Sequence, residues 1–462
     1  MSYFSLIYLG IFSLIISVLS FFNIIYSYYF NLYLNLDSYI YALILSLILG
    51  LIFLIKKKDN YKISIYHKIV TVISGYLILP IIISIPFYFS IYNISFLDSY
   101  FESISGFTST GFSVFDNVKH LDESLILWRS SSQWVGGLYF LFSIILLIDI
   151  FDDSFKKSLT NFLSFNTSET LKQSSKILIL YILLTFSIFL ILNVFDFRFF
   201  DSFNLSMTLI SSGGFLPVNS LSSIVDTNTK EIVFALLMLV SFFSIFLSYN
   251  LFFIKSKNIS FFQEDIYLFI YLITLIFLFF LLFNSEYNFS VILLSLTSSI
   301  SNVGVSLDHL PQNLSFMFLI LVIIGGSFFS TSSGIRFLKL YALFKFSIND
   351  LISHVRPKNV FLNISFQKVE INKYFLSVMI FVISLFLLTS FLAASGISLE
   401  NSFKLSILTL MNTVNSSMYG IDYFNFQELQ FFTKYCLIIF MIIGRVELLT
   451  LLIIFKKFLF KN

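Results

Sequence analysis

The sequence predicts an all-α polytopic membrane protein in which two N-terminal helices precede four units, each a long helix, a short re-entrant segment and a second helix. Three observations predict it. Of 462 residues, 58% are hydrophobic and 11% are charged, with a mean hydropathy of +0.92, more apolar surface than a soluble domain can bury. Basic residues gather in alternate loops, and one short polar segment recurs along the chain.

The windows 3–22, 39–55, 69–90, 177–195, 232–254, 266–283, 314–329, 374–393 and 435–455 are almost uncharged, and most reach the ~20 residues that span a bilayer core. The first lacks a basic leader region and a small-residue cleavage site, so it is expected to remain as a helix. With its start in the cytoplasm, the loops near 56–68, 152–176, 255–265, 336–373 and 456–462 all fall inside. They hold 21 of the 28 Lys and Arg residues, including Lys56, Lys57, Lys58, Lys156, Lys157, Arg356 and Lys358, while the opposite loops hold 15 of the 25 acidic ones. This is the positive-inside pattern. The expected divisions are 1–60 for the two extra helices and 61–160, 161–258, 259–350 and 351–462 for the four units.

An even number of crossings between basic loops leaves one short piece per unit that cannot span. In the first unit 69–90 and Leu125–Ile150 are long enough to cross, whereas Leu97–Phe107 is not. It must enter and leave on the outer side, and non-helical backbone at that depth is tolerated where it lines a water-filled cavity. The short pieces repeat. DSYFESISGFTSTGF (98–112) aligns without a gap on DSFNLSMTLISSGGF (201–215), placing Gly111 on Gly214 and Phe112 on Phe215 with a period of 103 residues. The third copy, SSISNVGV (298–305), keeps Gly304. The fourth, LTLMNTVNSSMYG (408–420), lacks a glycine at the expected place, so polarity sets its register. Hydroxyls or amides stand six, three and two residues before the glycine in the first three copies, and Asn415 as the fourth reference gives Thr409, Asn412 and Thr413 at those offsets.

Such a pattern suits ion dehydration. Glycine adopts positive φ and lets carbonyls turn inward, so loops meeting on one axis can replace a cation's water shell. Hydroxyl and amide side chains are expected to satisfy the remaining buried backbone groups.

FESISGFTSTGFSVF (101–115), WRSSSQWVGG (128–137), SSGGF (211–215), GGSFFSTSSGIR (325–336), HVRPKNV (354–360) and GRVE (444–447) together resemble the Trk/Ktr/HKT superfamily of cation transporters. The two helices before residue 60 are similar to its TrkH-type members. The resemblance implies four membrane-pore-membrane repeats around one central pore, a homodimer, and K⁺ uptake across the inner membrane under a cytosolic nucleotide-binding regulatory subunit supplied in trans. It implies a selectivity filter at Thr110, Gly111, Gly213, Gly214, Val303, Gly304, Val414 and Asn415. It also implies an intramembrane gating loop at Gly325, Gly326, Ser330, Thr331 and Gly334, where Phe328 and Phe329 stand in place of the usual small residues. Arg445, a charge at membrane depth, is expected to act on the pore beside that loop. Arg129 and Gln133 are expected to hold the first pore loop. Asn415, a non-glycine in the filter, makes Na⁺ permeation the alternative to K⁺.

Other classes find less support. His67, His120, His309 and His354 lack ligand spacing, and Cys436 is the lone cysteine, so no transition-metal site and no cofactor are expected. A membrane-embedded transferase would need acid or histidine clusters at helix ends, and the adjacent acids Asp122-Glu123, Asp152-Asp153 and Glu264-Asp265 have no histidine beside them. A non-conducting scaffold would follow if Asn415 closed the filter. The basic rim suits lipid headgroups, not nucleic acid.

Overall fold

A computed structural model describes residues 3–55, 65–147, 170–245, 247, 263–283, 288–307, 314–355, 368–421 and 424–446. Helices α1 (Tyr3–Tyr29) and α2 (Leu36–Ile55) form an antiparallel pair against the first unit. The first unit comprises α3 (Ile65–Tyr88), α4 (Phe96–Phe107) and α5 (Glu123–Leu146). The second comprises α6 (Thr170–Val194), α7 (Phe199–Ile210) and α8 (Asn228–Phe242). The third has α9 (Gln263–Phe283), α10 (Phe289–Ile300), α11 (Ser315–Ile323) and α12 (Phe337–Val355). The fourth has α13 (Lys368–Ala394), α14 (Leu399–Leu410) and α15 (Phe431–Arg445). The repeat is visible in the lengths, because the short helices α4, α7, α10 and α14 each have 12 residues.

Six described helices are long and apolar enough to cross a membrane: stretches of α1, α2, α3, α6, α9 and α13. These are the two extra helices and the first helix of every unit. Their outward faces carry exposed Phe, Leu and Ile, as in Phe186, Phe277 and Phe386, which suits lipid contact. The second helices are different in kind. Almost all of α5 is buried, including Arg129, Ser130, Ser131, Ser132 and Gln133, so it is interior wall. The chain is a multi-pass, predominantly helical membrane protein.

Two expectations are corrected. The apolar window 314–329 is no continuous helix, because α11 stops at Ile323 and the chain forms β1 (Ile324–Gly325), paired in parallel with β2 (Ile335–Arg336). The division after residue 350 falls inside α12. The other unit boundaries, the basic residues Lys56 to Lys58, Lys156, Lys157, Arg356 and Lys358, and also Glu447, lie outside the described residues.

Candidate functional site

Each 12-residue helix aims its C-terminus at a common centre, and there each chain turns through a left-handed residue: Ser109, Ser212, Asn302 and Asn412, with φ of 58°, 57°, 60° and 47°. The turn is closed alike in three loops. Thr110, Gly213 and Thr413 donate their N–H groups to the carbonyls five residues earlier, at 2.9, 2.8 and 2.9 Å. These equivalences fix the register of the fourth loop. The residue matching Gly111, Gly214 and Gly304 is Val414, not Asn415, which falls one step outward beside Phe112, Phe215 and Val305.

The sequence register failed for a physical reason. The fourth short helix carries Leu408 and Met411 where the others carry hydroxyls, and most of those hydroxyls serve their own helices. Thr108 donates to Ile104 O at 2.8 Å, Thr208 to Leu205 O at 3.0 Å and Ser211 to Met207 O at 3.0 Å. Polarity at those offsets is therefore no mark of the ring. The amides are: Asn302 Nδ2 donates to Val322 O at 2.8 Å and Asn412 Nδ2 to Met441 O at 2.9 Å, each pinning its loop to the following helix.

The four loops pack into a ring. Gly111 and Gly304 each have φ of 78°, a conformation that side chains disfavour. A Cβ on Gly111 or on Gly214 would collide with Val414 Cγ2, and one on Gly214 would also stand 2.6 Å from Val303 O. A Cβ on Gly304 would meet Thr413 Cγ2 at 2.6 Å and Val414 N at 2.8 Å. The Val414 side chain thus occupies the space that the glycines leave, whereas its own backbone has no positive φ. Four helix C-termini face this centre, and their partial negative charge favours a cation. Outside the ring opens a cavity of about 460 Å³ that Asn415, Ser416, Asp116 and Phe426 help to line.

Buried ion pairs brace the ring. Arg129 Nε donates to Glu102 Oε1 at 2.8 Å, Glu102 Oε2 accepts from Val114 N at 2.8 Å, and the guanidinium lies 4.2 Å from the Phe215 ring centre. Arg129 therefore holds the first loop as expected. Gln133 instead serves the second, its Oε1 accepting from Phe215 N at 3.2 Å. Lys434 Nζ of α15 donates to Asp98 of α4 at 2.5 Å, joining the fourth unit to the first.

Below the ring, the segment from Gly326 to Gly334 is a loop closed at its base by the β1–β2 pair. Gly334 has φ of 81°, and a Cβ on it would stand 2.7 Å from Gly325 Cα, so this neck admits no side chain. Thr331 Oγ1 donates to Ile210 O at 2.7 Å, at the end of α7, and Ser330 packs by hydroxyl contact against Ser332 at 2.9 Å. Arg445, 2% exposed, donates to Ser333 Oγ at 2.5 Å and approaches Ser109 Oγ at 3.4 Å and Ser211 O at 3.5 Å. It connects the loop to two ring segments. Phe328 and Phe329 are buried, edge to face at 4.9 Å.

The sequence reading passed over Arg336 and Phe140. Arg336 Nη1 donates to Ser327 O and Ser332 O at 3.0 Å each, bracing the loop from within. Phe140 lies 4.1 Å from the Arg445 guanidinium carbon and 5.2 Å from that of Arg336, so two cations share one ring. Arg336 stood in the quoted GGSFFSTSSGIR motif. Its charge in an otherwise apolar run was the available signal. Among the described residues no group of three or more His, Cys, Asp or Glu could hold a metal ion.

The family model for TrkH, described as cation transport protein, matches residues 303–461. An uncharacterized cation transporter of Methanocaldococcus jannaschii is 24% identical over 97% of this chain and 94% of its own length. The Trk system potassium uptake protein TrkH of Escherichia coli K12 is 23% identical over 86% of this chain and 87% of its own. The crystal structure of the potassium transporter TrkH from Vibrio parahaemolyticus matches with a TM-score of 0.79 at 20% identity, covering 98% of each chain. In fold and in sequence, the chain resembles TrkH-type proteins, which are transporters and not enzymes.

Proposed function

From the likeness to TrkH-type proteins, we propose that this chain takes up K⁺ across the cell inner membrane through the ring at Gly111, Gly214, Gly304 and Val414, with the loop Gly325–Gly334 as its gate. The single observation that carries it is the convergence of four equal helices on one ring, each through a left-handed residue. An ion entering the outer cavity exchanges water for loop carbonyls as it reaches the ring. Beneath, it meets the loop tied to Arg445, whose fixed charge raises the electrostatic barrier to a cation. The driving force is the membrane potential, about 2.3 kcal/mol per charge per 100 mV.

The filter comprises Thr110-Gly111, Gly213-Gly214, Val303-Gly304 and Thr413-Val414, with Asn415 at its outer rim. Further parts of this reading are a cytoplasmic N-terminus, a homodimer in lipid with one pore per chain, a cytosolic nucleotide-binding subunit as regulator, and no bound cofactor. Val414 favours a second reading, Na⁺ permeation, because a branched side chain at the ring alters the space in which one ion is preferred over another.

K⁺ and Na⁺ flux into proteoliposomes test both. A K⁺ flux exceeding that of Na⁺ is expected. A folded protein that moves neither ion would overturn the transport reading.

A further inference from the structure

The acidic pair Glu264-Asp265 has no part in the ring, yet both carboxylates are committed. They lie in the first turn of α9, where acids suit the helix dipole; that alone would leave them facing solvent. Both instead reach to other elements. Glu264 Oε1 accepts from the Phe328 N–H, midway along the loop, at 2.9 Å. Asp265 Oδ1 accepts from the Ser244 N–H at 3.2 Å, just past α8, whose helix ends because Phe243 is extended at φ −80° and ψ 162°.

The same two segments are also joined directly. Ser327 N donates to Phe242 O at 3.0 Å, Ser332 N to Ser241 O at 3.1 Å, and Ile245 N to Phe329 O at 3.1 Å. The loop is thus held on opposite sides. Thr331 and Ser333 fasten it toward the ring, and Glu264 fastens Phe328 toward α9.

We infer that Glu264 is a positioning residue that latches the gating loop to the start of α9, which Asp265 ties to the broken end of α8, keeping the loop beneath the ring, and that releasing this latch opens the pathway. The inference rests on the pore reading above. Glu264 accepts the Phe328 N–H through one side-chain oxygen, and Phe328 cannot leave its buried place without breaking this bond. The loop and the end of α8 then move together.

The test is K⁺ flux into proteoliposomes holding the full chain, with the Na⁺ to K⁺ ratio measured alongside. Glu264→Ala is expected to raise maximal flux several-fold, leaving the half-saturating K⁺ concentration and the ion ratio unchanged. Glu264→Gln keeps an acceptor oxygen at the same reach and stays near the unsubstituted rate. Glu264→Asp keeps the charge but falls one methylene short, so it follows alanine. Equal flux in all four proteins would overturn the latch, and so would glutamine behaving as alanine. Should Glu264→Ala not fold, the aspartate and glutamine variants decide alone. An unsubstituted protein that is folded yet moves no cation would sink the pore reading itself, whereas one that conducts with an indifferent Glu264→Asp would sink only the latch.

Discussion

The loops that follow the first and fourth short helices perform the same turn with different chemistry. The first is braced by its own unit, through Glu102, Arg129 and the Val114 N–H, and it uses a glycine at φ of 78°. The fourth borrows its bracing from the first: Lys434 reaches Asp98, and Asn412 Nδ2 donates to Thr110 Oγ1 at 3.0 Å. At the ring it carries Val414, whose backbone needs no left-handed turn. A glycine is obligatory only where φ is positive or where a neighbour already fills the Cβ position. Val414 meets neither condition, being itself the neighbour that fills it. One valine is tolerated because three glycines make room for it.

The largest effect is expected at the seam between these loops. Lys434→Met would strand the buried Asp98 carboxylate, and removing one partner of such a pair costs about 3–5 kcal/mol. Thermal unfolding in detergent should show this loss, with much of it recovered when Asp98→Asn is added. A single variant as stable as the parent would mean that the fourth unit stands without the first.

Next comes Gly111→Ala. A left-handed alanine costs about 1–2 kcal/mol and its methyl group also strikes Val414, so K⁺ uptake should fall roughly tenfold or more by the arithmetic of 1.4 kcal/mol per decade. Adding Val414→Gly removes the collision and leaves the backbone cost. Partial recovery in the double variant is therefore expected, and additive losses would show that the two residues do not touch.

Val414→Gly alone should change the K⁺ to Na⁺ flux ratio by a few-fold, on the order of 1 kcal/mol of altered contact. An unchanged ratio would remove Val414 from ion choice. The smallest effect is expected at Asn415→Gly, which lies outside the ring and should leave the ratio within about twofold. A larger shift there than at Val414 would reverse the assignment of the fourth loop.

Much of the architecture was legible because it follows from simple periodicities. Helix windows follow from apolar length, and the short helices from being too brief to cross. The registers of the first, second and third loops follow from their glycines Gly111, Gly214 and Gly304. The fourth register was not legible, since hydroxyls such as Thr208 and Ser211 spend their bonds on their own helices and Leu408 and Met411 break the pattern without breaking the turn. The surviving mark was the amide two residues before the ring, Asn302 and Asn412. The break after Ile323 was hinted at by Gly325, Gly326 and Gly334, but the pairing of β1 with β2 is a long-range bond that no local pattern declares. Likewise the sequence offers Glu264 only as part of a loop acidic pair without histidine, and its bond to Phe328, 64 residues on, is not a local signal.

The equal length of the four short helices has an electrical consequence. Twelve residues make about 18 Å of helix, well short of a bilayer core of about 30 Å, and each ends at the ring with the outer cavity beyond it. Water on the outer side carries little of the voltage drop, so the field concentrates across the few ångströms of the ring and the loop below. On the proposed pore reading, each K⁺ would then take most of its electrical work in that short stretch. Changes at Val414 should therefore alter how steeply flux responds to voltage, whereas changes in the outer mouth, Asn415 included, should alter only how fast ions arrive.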